Sequence, residues 1–203
     1  MLRLALCLVA LAALSACSGY TRASSEAEVA SISFVEGPPH YITLYTVINN
    51  GSNSGAHSAV LVNASQRVIF DPAGSWHHPR LPERDEVHYG MTDKAVSFFI
   101  DYHARSNYDV IEQKIYVTPE VAELLFQKMK AYGPVAKSMC TTATSAVLSE
   151  LPGFESLGRT WFPKALSKDF AKLPGVITRY ITDDTDETNH GILLVQANGD
   201  PLE

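Results

Sequence analysis

Two short β-rich runs constrain this chain more than any other feature. His57-Ser58-Ala59-Val60-Leu61-Val62 and Gln66-Arg67-Val68-Ile69-Phe70 are separated by Asn63-Ala64-Ser65. Apolar, β-branched runs of this length split by three residues read as an antiparallel hairpin. Asp71-Pro72-Ala73-Gly74-Ser75 ends the second strand, because proline has no N–H to give to a ladder. If Val62 pairs with Gln66 across the turn, His57 falls opposite Asp71. Directly opposed residues hold their Cβ atoms about 4.5–5.5 Å apart on one face, within range of an imidazole–carboxylate hydrogen bond. A one-residue slip would turn Asp71 to the other face.

Around this hairpin the pattern is mixed. Strands are expected at 41–48, 111–117, 176–181 and 191–196, with a short one at 32–35. The 111–117 run alternates, with Ile111, Gln113, Ile115 and Val117 on one face. Helices are expected at 93–104 behind an N-capping Thr92, from Thr118-Pro119-Glu120 to Gly133-Pro134, at 140–151, and at 164–173. Residues 76–91 read as a long irregular loop. The class is α+β, and 203 residues suit one domain with a sizeable core.

The first residues stand apart. Arg3 precedes an apolar run, 4–14, too short to cross a bilayer as a stable helix. It leads into Leu14-Ser15-Ala16-Cys17, which resembles the bacterial lipobox. That resemblance implies a signal peptide over 1–16, removal of Cys7, and a lipid on Cys17. Ser18 follows the cysteine, and no aspartate stands there to hold the protein at the inner membrane. The expected address is the bacterial cell envelope, anchored to the outer membrane and facing the periplasm. Residues 17–39, rich in small and polar types and closed by Gly37-Pro38-Pro39, read as lipid anchor and flexible tether, with the domain over 40–203. The net charge of -6, with no long basic run, argues against nucleic acid as a partner.

With Cys7 and Cys17 accounted for, Cys140 is the one remaining thiol. It stands at the start of the small-residue helix Cys140-Thr141-Thr142-Ala143-Thr144-Ser145, where unpaired N–H groups favour thiolate. A cysteine nucleophile needs a base, and the base an orienting third group. Among seven histidines, His57 has Asp71 beside it in the hairpin. His190 also precedes an apolar run, with Asn198 or Asp200 as its third group. An inert buried thiol, a structural His57 and a turn aspartate are the plain alternatives. His77-His78 with His88 and Asp85 lack the spacing of a metal motif and read as a solvated loop. The acidic run 183–187 lacks the glycine and closing glutamate of a calcium loop. No cofactor or metal is expected.

The order of the His-bearing strand 57–62, then Val68-Ile69-Phe70-Asp71, then Met139-Cys140-Thr141-Thr142 resembles the circularly permuted NlpC-type branch of papain-like cysteine hydrolases, as in lecithin–retinol acyltransferase-like proteins. The resemblance spans roughly 41–151 and rests on order and context. The chain departs from the pattern in its Asp71, where histidine is common, and in the insertion at 76–108. The resemblance implies an antiparallel sheet packed on a nucleophile helix. It also implies a Cys140–His57–Asp71 triad and hydrolysis of an amide or peptide bond, with peptidoglycan stem peptides as the natural envelope substrate. Acyl-ester or lipid acyl chemistry on the same triad is one alternative. A non-catalytic envelope binding lipoprotein is another.

Overall fold

The computed structural model describes residues 23–183. The signal peptide, Cys7, Cys17, His190, Asn198, Asp200, the strand expected at 191–196 and the acidic run beyond Asp183 lie outside the described residues.

Among the described residues, seven strands form one antiparallel sheet. They are β1 (Tyr41–Asn49), β2 (Ser54–Asn63), β3 (Arg67–Phe70), β4 (Glu83–Arg84), β5 (Val87–His88), β6 (Tyr108–Tyr116) and β7 (Ile177–Ile181). Their spatial order is β4-β5-β3-β2-β1-β6-β7. Five helices among the described residues accompany them: α1 (Glu26–Ser31), α2 (Asp93–His103), α3 (Pro119–Tyr132), α4 (Cys140–Ser149) and α5 (Pro163–Phe170). The expected α+β class is therefore present. Thr92 and Thr118 cap α2 and α3 by accepting the Ala95 and Val121 N–H groups, as their sequence positions imply.

The sheet is covered on both faces. Leu44, Val60, Val62 and Phe70 meet Leu125, Met129, Val147 and Phe170 on the side of α3, α4 and α5. Tyr45, Ala59, Leu61 and Ile69 meet Trp76, Ala95 and Phe99 on the side of α2. A central strand buried on both sides needs uncharged, mostly apolar residues at successive positions, and β1 supplies them with Tyr41-Ile42-Thr43-Leu44-Tyr45.

Three expectations change. The loop at 76–91 contains β4 and β5, each only two residues long, too short for any alternation to be read. No strand forms at 32–35; instead residues 26–31 form α1 behind a Ser25–Glu28 capping box. The flexible tether expected over 17–39 does not extend that far. From Ser24 onward the segment is held to the domain: the Ser24 N–H donates to the Glu83 carbonyl, and the Arg67 N–H donates to the Phe34 carbonyl. The buried Arg67 guanidinium pairs with Glu36 at 2.7 Å and Asp93 at 2.8 Å. A buried cation needs such partners, and two acids from different segments supply them.

The hairpin register also differs from the simplest one. Val62 pairs with Val68, and Asn63 with Arg67. Continued past Phe70, that register sets Asp71 across from Ala59, diagonal to His57. The shift is two residues, so parity holds and Asp71 stays on the His57 face.

Candidate active site

His57 enters the site from a bulge. It pairs with Val47 on β1, but the next pair is Ile48 with Gly55, so Ala56 is an extra residue. A bulge bends its strand and re-aims the neighbouring side chain. Asp71 follows the last paired residue of β3, and its carboxylate reaches diagonally to His57. The Nε2–Oδ1 distance is 2.5 Å. The His57 side chain is 15% exposed and that of Asp71 1%.

The turn after Asp71 is shaped around the carboxylate. The Gly74 N–H donates to the Asp71 carbonyl at 3.0 Å. A Cβ on Gly74 would meet Asp71 Oδ2 at 1.9 Å, so only glycine fits under the carboxylate. Buried Glu86 braces the same turn. Its carbonyl accepts the Asp71 N–H at 2.8 Å, and its carboxylate accepts the Ala73 and Val135 N–H groups at 2.8 and 3.1 Å. Val135 lies in the segment leading into α4, so Glu86 ties that segment to the Asp71 turn.

The thiol arrives from the opposite side of the sheet. Ser58 Oγ and Thr141 Oγ1 lie 2.8 Å apart, and Thr144 Oγ1 donates to the Ser58 carbonyl at 3.3 Å. These bonds fasten the first turns of α4 to the residue beside His57. Cys140, a free and buried thiol, stands 3.7 Å from the Thr141 hydroxyl, and the His57 imidazole and the Ser58 N–H lie close enough to act on it electrostatically. Asp71 occupies Nε2, so Nδ1 is the ring nitrogen that remains. No side chain caps α4, so its first-turn N–H groups remain as donors beside the sulfur.

Electrostatics follow from these contacts. For Cys140, burial pushes the thiol up, but the hydrogen bond and charge of His57, the Thr141 hydroxyl and the Ser58 N–H outweigh it. The thiol sits at about 7, below its ordinary 9.0. For His57, burial acts downward, and the Asp71 charge and hydrogen bond together with the thiol overcome it, raising the imidazole to about 10. Asp71 is buried, which acts upward, yet His57, His103 and His88 bring it down to about 2. Between about pH 7 and 10 the site holds carboxylate, imidazolium and thiolate.

His103, at the end of α2, was not among the expected site residues. Its ring stacks on His57 with centroids 5.6 Å apart and planes 5° from parallel. Its Nδ1–H donates to the Phe99 carbonyl at 2.7 Å. Burial lowers it to about 4, so it is neutral beside the His57 imidazolium. Its only sequence signal is a place on the apolar stripe of α2. One ligand atom each from His57, Asp71 and His103 lie within 4.8 Å of one another. Two ligands of a single ion bonded at about 2.0–2.2 Å stand roughly 3 Å or more apart. The 2.5 Å His57–Asp71 separation is therefore that of a hydrogen bond. A cleft of about 570 Å³ opens against His57, His103, Gly74, Tyr102 and Arg105.

The structure thus brings Cys140, His57 and Asp71 together. His77, His78 and His88 lie apart from the thiol, around a second cavity of about 660 Å³. No family model matches this chain, and no curated protein or solved structure matches it either.

Proposed function

We propose that this protein is a cysteine hydrolase of the permuted papain-like, NlpC-type kind, acting on an amide or peptide bond from a lipid-anchored position in the bacterial envelope. The observation that supports it is one imidazole shared by two partners, with the Asp71 carboxylate on Nε2 at 2.5 Å and the Cys140 thiol as its other partner. That is the nucleophile, base and orienting group of a triad.

In this reading the Cys140 thiolate attacks the carbonyl carbon, and the π pair moves to oxygen. The first-turn N–H groups of α4 stabilise the oxyanion. The His57 imidazolium gives its proton to the departing amine as the C–N bond breaks, leaving a thioester. His57 then takes a proton from water, the hydroxide attacks the thioester, and the thiolate departs. Asp71 holds the ring orientation and its positive charge throughout. Lipidation of Cys17 would supply the anchor. Peptidoglycan stem peptides are the substrate class that such an address favours.

A specific observation favours acyl esters as the second substrate reading. Trp161 and Phe162 are 68% and 71% exposed immediately before α5. Next to them, Pro163 abuts Gly55, where a Cβ would meet the Pro163 Cβ at 2.7 Å. Gly55 is two residues from His57, so this exposed aromatic pair borders the site's strand and suits an apolar chain.

The test is alkylation of Cys140 by iodoacetamide at pH 7, in folded and denaturant-unfolded protein. The folded thiol should react faster. His57→Ala should slow it about tenfold, since the thiolate fraction falls while intrinsic nucleophilicity partly compensates. Equal rates in folded and unfolded protein, or no effect of His57→Ala, would remove the dyad and leave the non-catalytic lipoprotein. Hydrolysis of muropeptides against long-chain acyl esters, each lost in Cys140→Ser, separates the two substrates.

A further inference from the structure

The sheet face that carries His57 also carries a row of titratable groups leading away from the thiol. His88 on β5 pairs across the ladder with Ile69 on one side and with Glu83 of β4 on the other. Its Nε2 faces Asp71 Oδ2 at 3.9 Å. Cross-strand neighbours share a face, so His57, Asp71, His88 and Glu83 follow one another across four strand positions. The row ends at His77, whose Nδ1 meets Glu83 Oε2 at 2.7 Å.

Two imidazoles in this row stand beside carboxylates. His77 directs Nδ1 at the Glu83 carboxylate, which leaves Nε2 with its lone pair. His88 Nε2 lies near the Asp71 carboxylate, in ion-pair range but beyond a hydrogen bond. Its Nδ1 is buried and has no hydrogen-bond partner among the described residues. The His88 side chain is only 2% exposed. An unpartnered imidazole nitrogen in that setting carries a desolvation cost that a ligand would offset. Both rings line the cavity of about 660 Å³. In His77, one ring nitrogen hydrogen-bonded to a carboxylate and the other open is the arrangement of a metal-ligating histidine.

We propose that His88 Nδ1 and His77 Nε2 bind one divalent transition-metal ion of the zinc type, with water completing its shell. The ring centroids lie 6.4 Å apart. Two imidazoles on one tetrahedral ion have centres about 5 Å apart, given metal–nitrogen bonds of about 2.0–2.1 Å. His77 supplies that movement, because its side chain is 61% exposed. Neighbouring His78 is excluded. Its Nδ1 accepts the Arg80 N–H at 3.2 Å, so its Nε2 carries the proton. The ion would join the loop after Trp76 to the β4–β5 hairpin, which backs Asp71. The role is structural and independent of whether the thiol turns over.

Zn²⁺ titration of the full-length Cys140→Ser protein against a chromophoric chelator tests the site without the Cys140 thiol as a ligand. One equivalent should bind with the moderate affinity of a two-histidine site, and the thermal midpoint should rise with occupancy. His77→Ala should weaken binding by more than about a hundredfold, and Glu83→Gln by about tenfold through loss of ring orientation. His103→Phe should leave it unchanged. His77 is on the surface, so its variant keeps the fold, as circular dichroism verifies, even if buried His88 tolerates no change. Binding unaltered by His77→Ala overturns the site. Binding lost in His103→Phe places the ion at the His57 cluster and also overturns it.

Discussion

Cys140 and His57 titrate in crossed order. The thiol sits at about 7 and the imidazole at about 10, although an isolated cysteine is the weaker acid of the two. Each favours the charged form of the other, so they behave as one ion pair over the interval between those values. Alkylation of Cys140 should accordingly rise as pH increases through about 7 and then level. Hydrolysis needs the imidazolium proton as well, and should fall again as pH passes about 10, giving a bell-shaped profile. His57→Gln should move the alkylation inflection up toward the ordinary 9.0 and abolish the alkaline limb of turnover. Both are read from rates measured across a pH series. An inflection unmoved in His57→Gln would mean that the helix terminus, not the imidazole, sets the thiol.

At the scale of elements, the hairpin β2–β3 and its closing turn place the acid–base pair. The bulge at Ala56 aims His57, and the turn through Gly74 lays the Asp71 carboxylate beneath it. Gly74→Ala should push that carboxylate aside, because the added carbon would lie 1.9 Å from Oδ2. The expected cost is about 1–3 kcal/mol of stability, as for other overpacked sites, read by urea denaturation. Alkylation of Cys140 should slow in the same variant, since His57 loses the charge that keeps it protonated. A variant that is less stable but as reactive as the parent would show that Asp71 does not govern His57. Nothing in the composition of Asp71-Pro72-Ala73-Gly74-Ser75 separates this glycine from an ordinary turn glycine.

Across the whole molecule, the buried histidines set the pH range of stability. His88 and His103 are held neutral, both lowered by burial to about 4 from 6.5. Between those values the unfolded chain binds protons that the folded one refuses, so stability falls as pH drops from about 6.5 toward 4. Asp71, lowered from 3.8 to about 2, loses its share below that. His57 acts with the opposite sign. Its folded value is raised, so its contribution is full below 6.5 and is lost as pH rises toward 10. Cys140, depressed from 9.0 to about 7, gains over the interval from 7 to 9 and offsets much of that loss. The thermal midpoint should therefore form a plateau from about pH 7 to 9, with a steep acid limb and a decline above 9. A scanning fluorimetry series in metal-free buffer checks it, and His57→Gln should flatten the alkaline decline.

Much of this was legible in the chain itself. Alternation at Ile111 to Val117, threonine caps before α2 and α3, and the run 41–48 required only local periodicity and local hydrogen bonds. The hairpin, the His57 at its head and the Asp71 at its end were readable for the same reason, and a cysteine opening a small-residue helix marked Cys140. Register was not readable, because a two-residue shift leaves every side chain on its face and changes no pattern. The docking of residues 24–39 rests on Arg67 finding Glu36 and Asp93, acids far apart in the chain, and no local signal encodes that meeting. His103 over His57, Gly74 under Asp71 and the row from Asp71 through His88 to Glu83 are likewise contacts between segments. Local sequence determined which residues can do chemistry; tertiary packing decided which of them touch, because burial and strand register act across distances that periodicity does not span.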